Sequence, residues 1–321
     1  MKRFIWIDWM KTLGMFFIIW GHFFSDGHKY VYVFSVPLFF FISGMLSKRE
    51  EDNAIFFKKI FYNLILPMFI ICLTLFTYNS IVALSKGTFS AMTIPEFLYG
   101  FVLGKYSSVV TCWFVYTLIL LKFIFQFFRK SILLISLLFI FLIMAFFLNQ
   151  YSHSHRPVPN AIVDVCTAYP WFFAGYLVKD YKEYFDKLND RKILLGIFLF
   201  SLGVIFFCGK YNGMVFLFIA SYGGNMLLFF LGGVAGIIAV FTISKMLDFD
   251  LGINKAISVG SILILGFHIE VISVFMGIFQ KRTLIDAFFS LIILLAFVPL
   301  IKWCELYFPL ILGKYRIKKS S

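Results

Sequence analysis

The chain has 321 residues, 61% of them hydrophobic, 21% aromatic and only 14% charged, with a net charge of +13 and a mean hydropathy of +0.93. A soluble globular domain is roughly a quarter charged and about half apolar, so this composition excludes that class and points to a protein solvated by lipid. The basic balance suits cytoplasmic loops beside anionic headgroups and does not call for nucleic acid as a partner.

A spanning helix needs roughly 20 mainly apolar residues. Ten stretches fit that pattern, at 5–24, 31–47, 58–81, 112–128, 131–148, 160–178, 192–208, 224–246, 257–279 and 284–307. The expected fold is therefore an all-α integral membrane bundle of about ten transmembrane helices, forming a single domain over residues 1–321. The first stretch leads into further spans rather than a small-residue cleavage site, so it is expected to be retained. "TIPEFLYGFVL" at 93–103 is too short to cross and reads as a surface or re-entrant helix. With the N-terminus inside, the inner connections hold 19 Lys and Arg and the outer ones 7. That asymmetry predicts two cytoplasmic termini. No internal duplication is visible, which argues against an inverted-repeat transporter.

Asp8, Lys11, Met15 and His22 of the first span fall within about a quarter turn of one another at the helical period, while the other faces are apolar. Lys11 and His22 are separated by three turns, about 16 Å along the axis. Charged groups near a helix end can snorkel to the interface. Their alignment on one stripe instead favours a functional face linking the two sides of the membrane.

Other candidates are scattered along the chain. Ser43 and Gly44 in "FFFISGML" suit close helix packing, with Ser43 also a candidate donor contact. Trp113 and Tyr116 suit interfacial anchoring, and Trp171 suits packing, with a place in the wall of an acyl tunnel as the alternative. His268 lies deep in the ninth span, where ionisable residues face a bundle interior or cavity. Glu270, two residues on, lies on a different face. Tyr222 and Asn225 flank the turn "YGGN" in an outer loop and are candidate sugar contacts. Cys72, Cys112, Cys166, Cys208 and Cys304 occur singly, and His153 and His155 lack further ligands, so no metal is expected.

The blocks "IDWMKTLGMFFIIWGH", "SVPLFFFISGML", "CWFVYTLIL", "YPWFFAGYLVKD", "YGGNMLLFFLGGVAGI" and "ILGFHIEVI", in this order and spacing, resemble the membrane acyltransferase family called acyltransferase 3. The closer likeness is to its fucose 4-O-acetylase-like branch. The resemblance runs from about residue 5 to residue 307. It implies transfer of an acyl group, usually acetyl, from cytoplasmic acyl-CoA to a sugar hydroxyl at the outer face of a bacterial cell membrane. Many members carry Arg followed eleven residues later by His in the first span. Lys11 stands where that Arg would be, and His22 matches the His. Lys lacks the bidentate fork of Arg, which changes the form of any phosphate contact.

A sugar hydroxyl attacks a thioester readily only when a positioned base removes its proton, and neutral imidazole suits that task near pH 7. His22 is the candidate base. No Ser or Cys sits in a nucleophile elbow, so direct transfer from acetyl-CoA is expected rather than an acyl-enzyme. Lys11 would meet the anionic donor, Asp8 would hold Lys11 or orient the donor, and His268, Trp113, Tyr222 and Asn225 would line the acceptor side. The acceptor is expected to be a surface or exopolysaccharide sugar, free or lipid-linked. Two rival readings use the same residues: a transporter or flippase for a lipid-linked sugar with an ion relay through the stripe, and a structural partner in polysaccharide export. Neither rival requires acyl-CoA.

Overall fold

A computed structural model describes residues 3–23, 27–87, 94–102, 112–152, 160–276 and 283–314. His153 and His155 lie outside the described residues, as do residues 88–93 and 103–111 of the 82–111 connection and residues 153–159 of the 149–160 connection. Among the described residues the chain is helical and contains no strand. In order the helices are α1 (Ile5–Gly21), α2 (His28–Tyr32), α3 (Ser35–Met45), α4 (Asn53–Ile60), α5 (Leu66–Ser85), α6 (Ile94–Val102), α7 (Cys112–Phe127), α8 (Ser131–Ser152), α9 (Asn160–Leu177), α10 (Lys182–Asp186), α11 (Arg191–Asn212), α12 (Met226–Met246), α13 (Ile253–Val259), α14 (Ser261–Met276) and α15 (Thr283–Tyr307). A π-helical turn, Phe61–Ile65, joins α4 to α5 without a break.

Five helical segments are long and apolar enough to cross a bilayer: Asn53–Ser85, Ser131–Gln150, Arg191–Asn212, Met226–Met246 and Ile285–Tyr307. A sixth crossing exists if α13 and α14, bent by 86° at Gly260, count as one broken span. The other four expected spans correspond to α1, α2 with α3, α7 and α9. These are shorter or interrupted: α3 has 11 residues and α7 has 16, about 16 and 24 Å of helix against the ~30 Å hydrocarbon core. Five or six of the ten expected crossings are thus long and apolar enough to span. The expected short helix near 93–103 appears as α6.

The outward surface explains the composition. α8 leaves Ile132, Phe139, Ile143 and Phe147 exposed, and α11 does the same with Ile193 and Phe200. Such a belt would aggregate in water and is satisfied in lipid. Inside, small residues set helix spacing. A Cβ on Gly44 of α3 would strike the Phe172 carbonyl of α9, and one on Gly175 of α9 would strike the Phe41 carbonyl of α3. The two backbones therefore touch through paired glycines, the packing that membrane helices use in place of a hydrophobic driving force. Trp171 likewise fills the space above Gly233 of α12, against Phe229 and Phe230. This is the packing role expected of it.

One end of the bundle is knitted by basic side chains, and these belong to the connections predicted to share a side. Arg49 donates to the carbonyls of Phe125, Phe128 and Arg129, capping the C-terminus of α7, where a cation complements the unsatisfied carbonyls. Gln126 bonds both backbone groups of Glu50. Lys182 donates to the Met45 carbonyl and Lys245 to the Asp186 carbonyl. Arg3 donates to Asp8 at 2.6 Å and also pairs with Asp250. That hydrogen bond from Arg3, followed by the Gly252 backbone N–H, holds the Asp250 carboxyl at about 2.

Candidate active site

Two cavities lie end to end along α1. The first, about 290 Å³, opens beside the basic end of the bundle and is lined by Lys11, Ser43, Asn63, Lys122, Ser258 and Ser261 among apolar neighbours. The second, about 360 Å³, lies toward the other end and is lined by His22, Tyr32, Trp113, Phe216, His268 and Ser273, again among apolar side chains. Met15, Phe39, Phe114 and Leu265 line both. These four apolar side chains form the shared wall.

The helix period accounts for the first half of this arrangement. Lys11, Met15, Ile18 and His22 follow one another at three- and four-residue steps, so a single face of α1 supplies a cation, the shared wall and an imidazole in turn. The bend between α13 and α14 supplies the second half. Gly260 sits where any Cβ would strike Ile301 of α15, and the turn places Ser258 and Ser261 in the Lys11 cavity and His268 in the other. Thr12 sits where α13 meets α1, its hydroxyl donating to the Asp8 carbonyl of its own helix at 2.9 Å and reaching the Asn254 carbonyl at 3.3 Å.

Both histidines are oriented by their own helices. His22 Nδ1 lies 2.8 Å from the Ile18 carbonyl, and His268 Nδ1 lies 3.0 and 2.9 Å from the carbonyls of Ile264 and Leu265. A carbonyl only accepts, so a neutral ring in either position carries its proton on Nδ1 and a lone pair on Nε2. The two rings meet edge to face with centroids 4.7 Å apart. His268 is fully buried, and its Nε2 has no hydrogen-bond partner among the described residues. Tyr32 packs beside His22 at 5.8 Å between ring centroids.

The predicted residues divide. Lys11 and Ser43 share the first cavity, whereas His22, His268 and Trp113 share the second. Asp8 forms no ion pair with Lys11 among the described residues; its carboxylate pairs with Arg3 at 2.6 Å. The Arg3–Asp8 pair closes a clamp at the helix start. Tyr222 and Asn225 line neither cavity. Tyr222 is 1% exposed, hydrogen-bonds Thr167 at 2.9 Å and stacks on Phe229. Asn225 caps α12, its side chain accepting from the backbone N–H groups of Leu227 and Leu228. Their turn is a structural joint: Asn212 donates to the Tyr222 carbonyl and accepts from the Asn225 N–H.

Sequence reasoning missed Lys122 and Tyr32. Lys122 had a signal, being a lone cation inside the apolar run "LILLKFIF". Tyr32 had none, because its relevance arises only from the return of α2 toward the end of α1.

No curated protein sequence and no solved structure matches the chain significantly. The sequence profile described as an acyltransferase domain, that of acyltransferase 3, matches residues 4–304, which include every lining residue of both cavities except Leu312, and the chain belongs to that family.

Proposed function

We propose that the chain is an O-acetyltransferase of a bacterial cell membrane. It moves an acetyl group from cytoplasmic acetyl-CoA to a hydroxyl of a surface or exopolysaccharide sugar, free or lipid-linked, and belongs to the fucose 4-O-acetylase-like branch. The observation that carries this reading is the pair of cavities sharing one wall, with cations in one and two imidazoles in the other. The basic end then faces the cytoplasm, in line with the positive-inside bias. Both termini lie on that side.

In this reading Lys11 receives donor phosphate, with Ser43 beside it. The thioester arm passes Met15, Phe39, Phe114 and Leu265. His22, its Nδ1–H held by Ile18, presents a basic Nε2 and removes the acceptor hydroxyl proton. As the oxygen–carbonyl bond forms, the carbon–sulfur bond breaks. The proton on the imidazolium goes to the departing thiolate, so the ring ends neutral. A base in this role supplies about 10²- to 10⁴-fold in rate. His268 and Trp113 line the acceptor side, and burial of the site keeps water from competing for the thioester.

Membership in an acyltransferase family lends no support to the transporter reading. The test is the acetyl content of surface glycans from cells lacking the protein, cells with it, and cells carrying His22→Gln. Acetylation should appear with the native protein alone. Equal acetyl content in all three would overturn the reading.

A further inference from the structure

Lys11 and Lys122 reach the same cavity from different helices, α1 and α7. Neither ammonium has a hydrogen-bond or ion-pair partner among the described residues. The acidic groups whose charge bears on them are Asp8 for Lys11 and Glu50 for Lys122. Each of these is already held by another cation. Arg3 bonds Asp8 at 2.6 Å, and Lys59 bonds Glu50 at 2.7 Å. Among the described residues no Asp or Glu lines the cavity. Two positive charges thus share a cavity inside an apolar bundle without a counter-charge of their own, an arrangement that is costly unless an anion completes it.

The position of the pair restricts the anion further. Lys11 lies about 16 Å along α1 from His22, and the apolar wall of Met15, Phe39, Phe114 and Leu265 intervenes. A compact donor such as acetyl phosphate, bound at the lysines, would leave its acyl carbon far from either imidazole. An anion joined to its acyl group by a long, thin, nearly uncharged arm fits both ends. Phosphopantetheine has that form, and it occurs with a diphosphate in coenzyme A and with a single phosphodiester on an acyl carrier protein.

We propose that Lys11 and Lys122 together form a diphosphate site, in which Lys122 is a donor-binding residue that selects coenzyme A thioesters over donors carrying fewer phosphates. The proposal rests on the acyl-CoA reading above and adds to it the residue and the charge count that set donor choice. The flanking hydroxyl of Ser258 supplies a neutral donor to the same oxygens, while the Ser261 hydroxyl is committed to the Ser258 carbonyl at 3.0 Å.

The test uses the full-length protein in micelles, with coenzyme A binding followed by calorimetry. Acyl transfer is compared for acetyl-CoA, acetyl-4′-phosphopantetheine and acetyl-pantetheine. Lys122→Gln should weaken coenzyme A binding about 10- to 100-fold and reduce by a similar factor the preference in kcat/KM for acetyl-CoA over acetyl-pantetheine, as expected for loss of one charged hydrogen bond. Lys122→Arg should retain most of that preference, since it keeps the charge. Lys122→Met, which keeps the apolar stem, serves the same purpose if the Gln variant does not fold. An unchanged preference in Lys122→Gln or Lys122→Met, with transfer falling equally for all donors or not at all, overturns the proposal. Failure of the native protein itself to bind coenzyme A overturns the acyl-CoA reading together with it.

Discussion

Replacing His22 by Gln separates chemistry from packing, because the two contributions differ by orders of magnitude. The side chain makes a 2.8 Å hydrogen bond to the Ile18 carbonyl and an edge-to-face contact with His268. Gln is of similar reach and can donate to the same carbonyl, so the structural loss should not exceed about 0.5–1.5 kcal/mol, the net worth of one hydrogen bond. Loss of a general base instead removes about 10²- to 10⁴-fold in rate, or roughly 2.7–5.4 kcal/mol of transition-state stabilisation. Donor binding should be unaffected, because Lys11 lies three turns away on the same helix, about 16 Å along its axis. The assay is coenzyme A thiol release from acetyl-CoA in the presence of acceptor, beside calorimetric donor binding and thermal unfolding of the same preparation. His22→Gln should bind donor and unfold like the native protein while transferring at least 10²-fold more slowly. A normal transfer rate in correctly folded His22→Gln would refute the assignment and move it to His268, which lines the same cavity.

Lys11→Ala should raise the KM for acetyl-CoA far more than the KM for the acceptor, whereas Lys11→Arg should preserve most activity; equal changes in both constants would show instead that α1 has moved. Leu265→Trp, which overfills the wall shared by the two cavities, should leave coenzyme A binding intact and abolish transfer by closing the path of the arm, as single-turnover measurements will show. Asn225→Ala removes the cap of α12 and should cost about 1 kcal/mol of stability, read by thermal unfolding, with both KM values unchanged; a selective rise in acceptor KM would return Asn225 to the sugar site. Reporters inserted after Asp52 and after Tyr184 should read cytoplasmic, and one within 149–160 external; an external signal at Asp52 would reverse the donor route.

Composition, the helical class and the five or six helices long and apolar enough to cross a bilayer follow from local sequence alone, since transfer into lipid depends on summed side-chain hydropathy and not on partners. The stripe of Lys11, Met15 and His22 is equally local, because the helix period places those residues on one face whatever surrounds them. Gly44 is legible as a packing residue for the same reason, although its counterpart Gly175 is not, since the crossing of α3 and α9 is a contact between distant segments. Everything that depends on which helices adjoin was decided by tertiary structure. The meeting of His22 with His268 requires α14 to turn through 86° at Gly260, and nothing in "SVGSIL" distinguishes a bent span from a straight one. Lys122 shares a cavity with Lys11 only because α7, packed against α9 and α5, also meets α3 through Phe114 against Phe39 and Phe40. Asp8 is bound by Arg3 rather than Lys11 because Arg3 folds back to join Asp250 at the same end. Tyr222 and Asn225, polar and near a glycine turn, carry the residue types of a sugar site, but burial against Phe229 and the open N-terminus of α12 claim them for the fold. Span identity is additive along the chain, whereas a site needs separate helices to converge. That convergence is set by glycine contacts and end-capping side chains far apart in sequence.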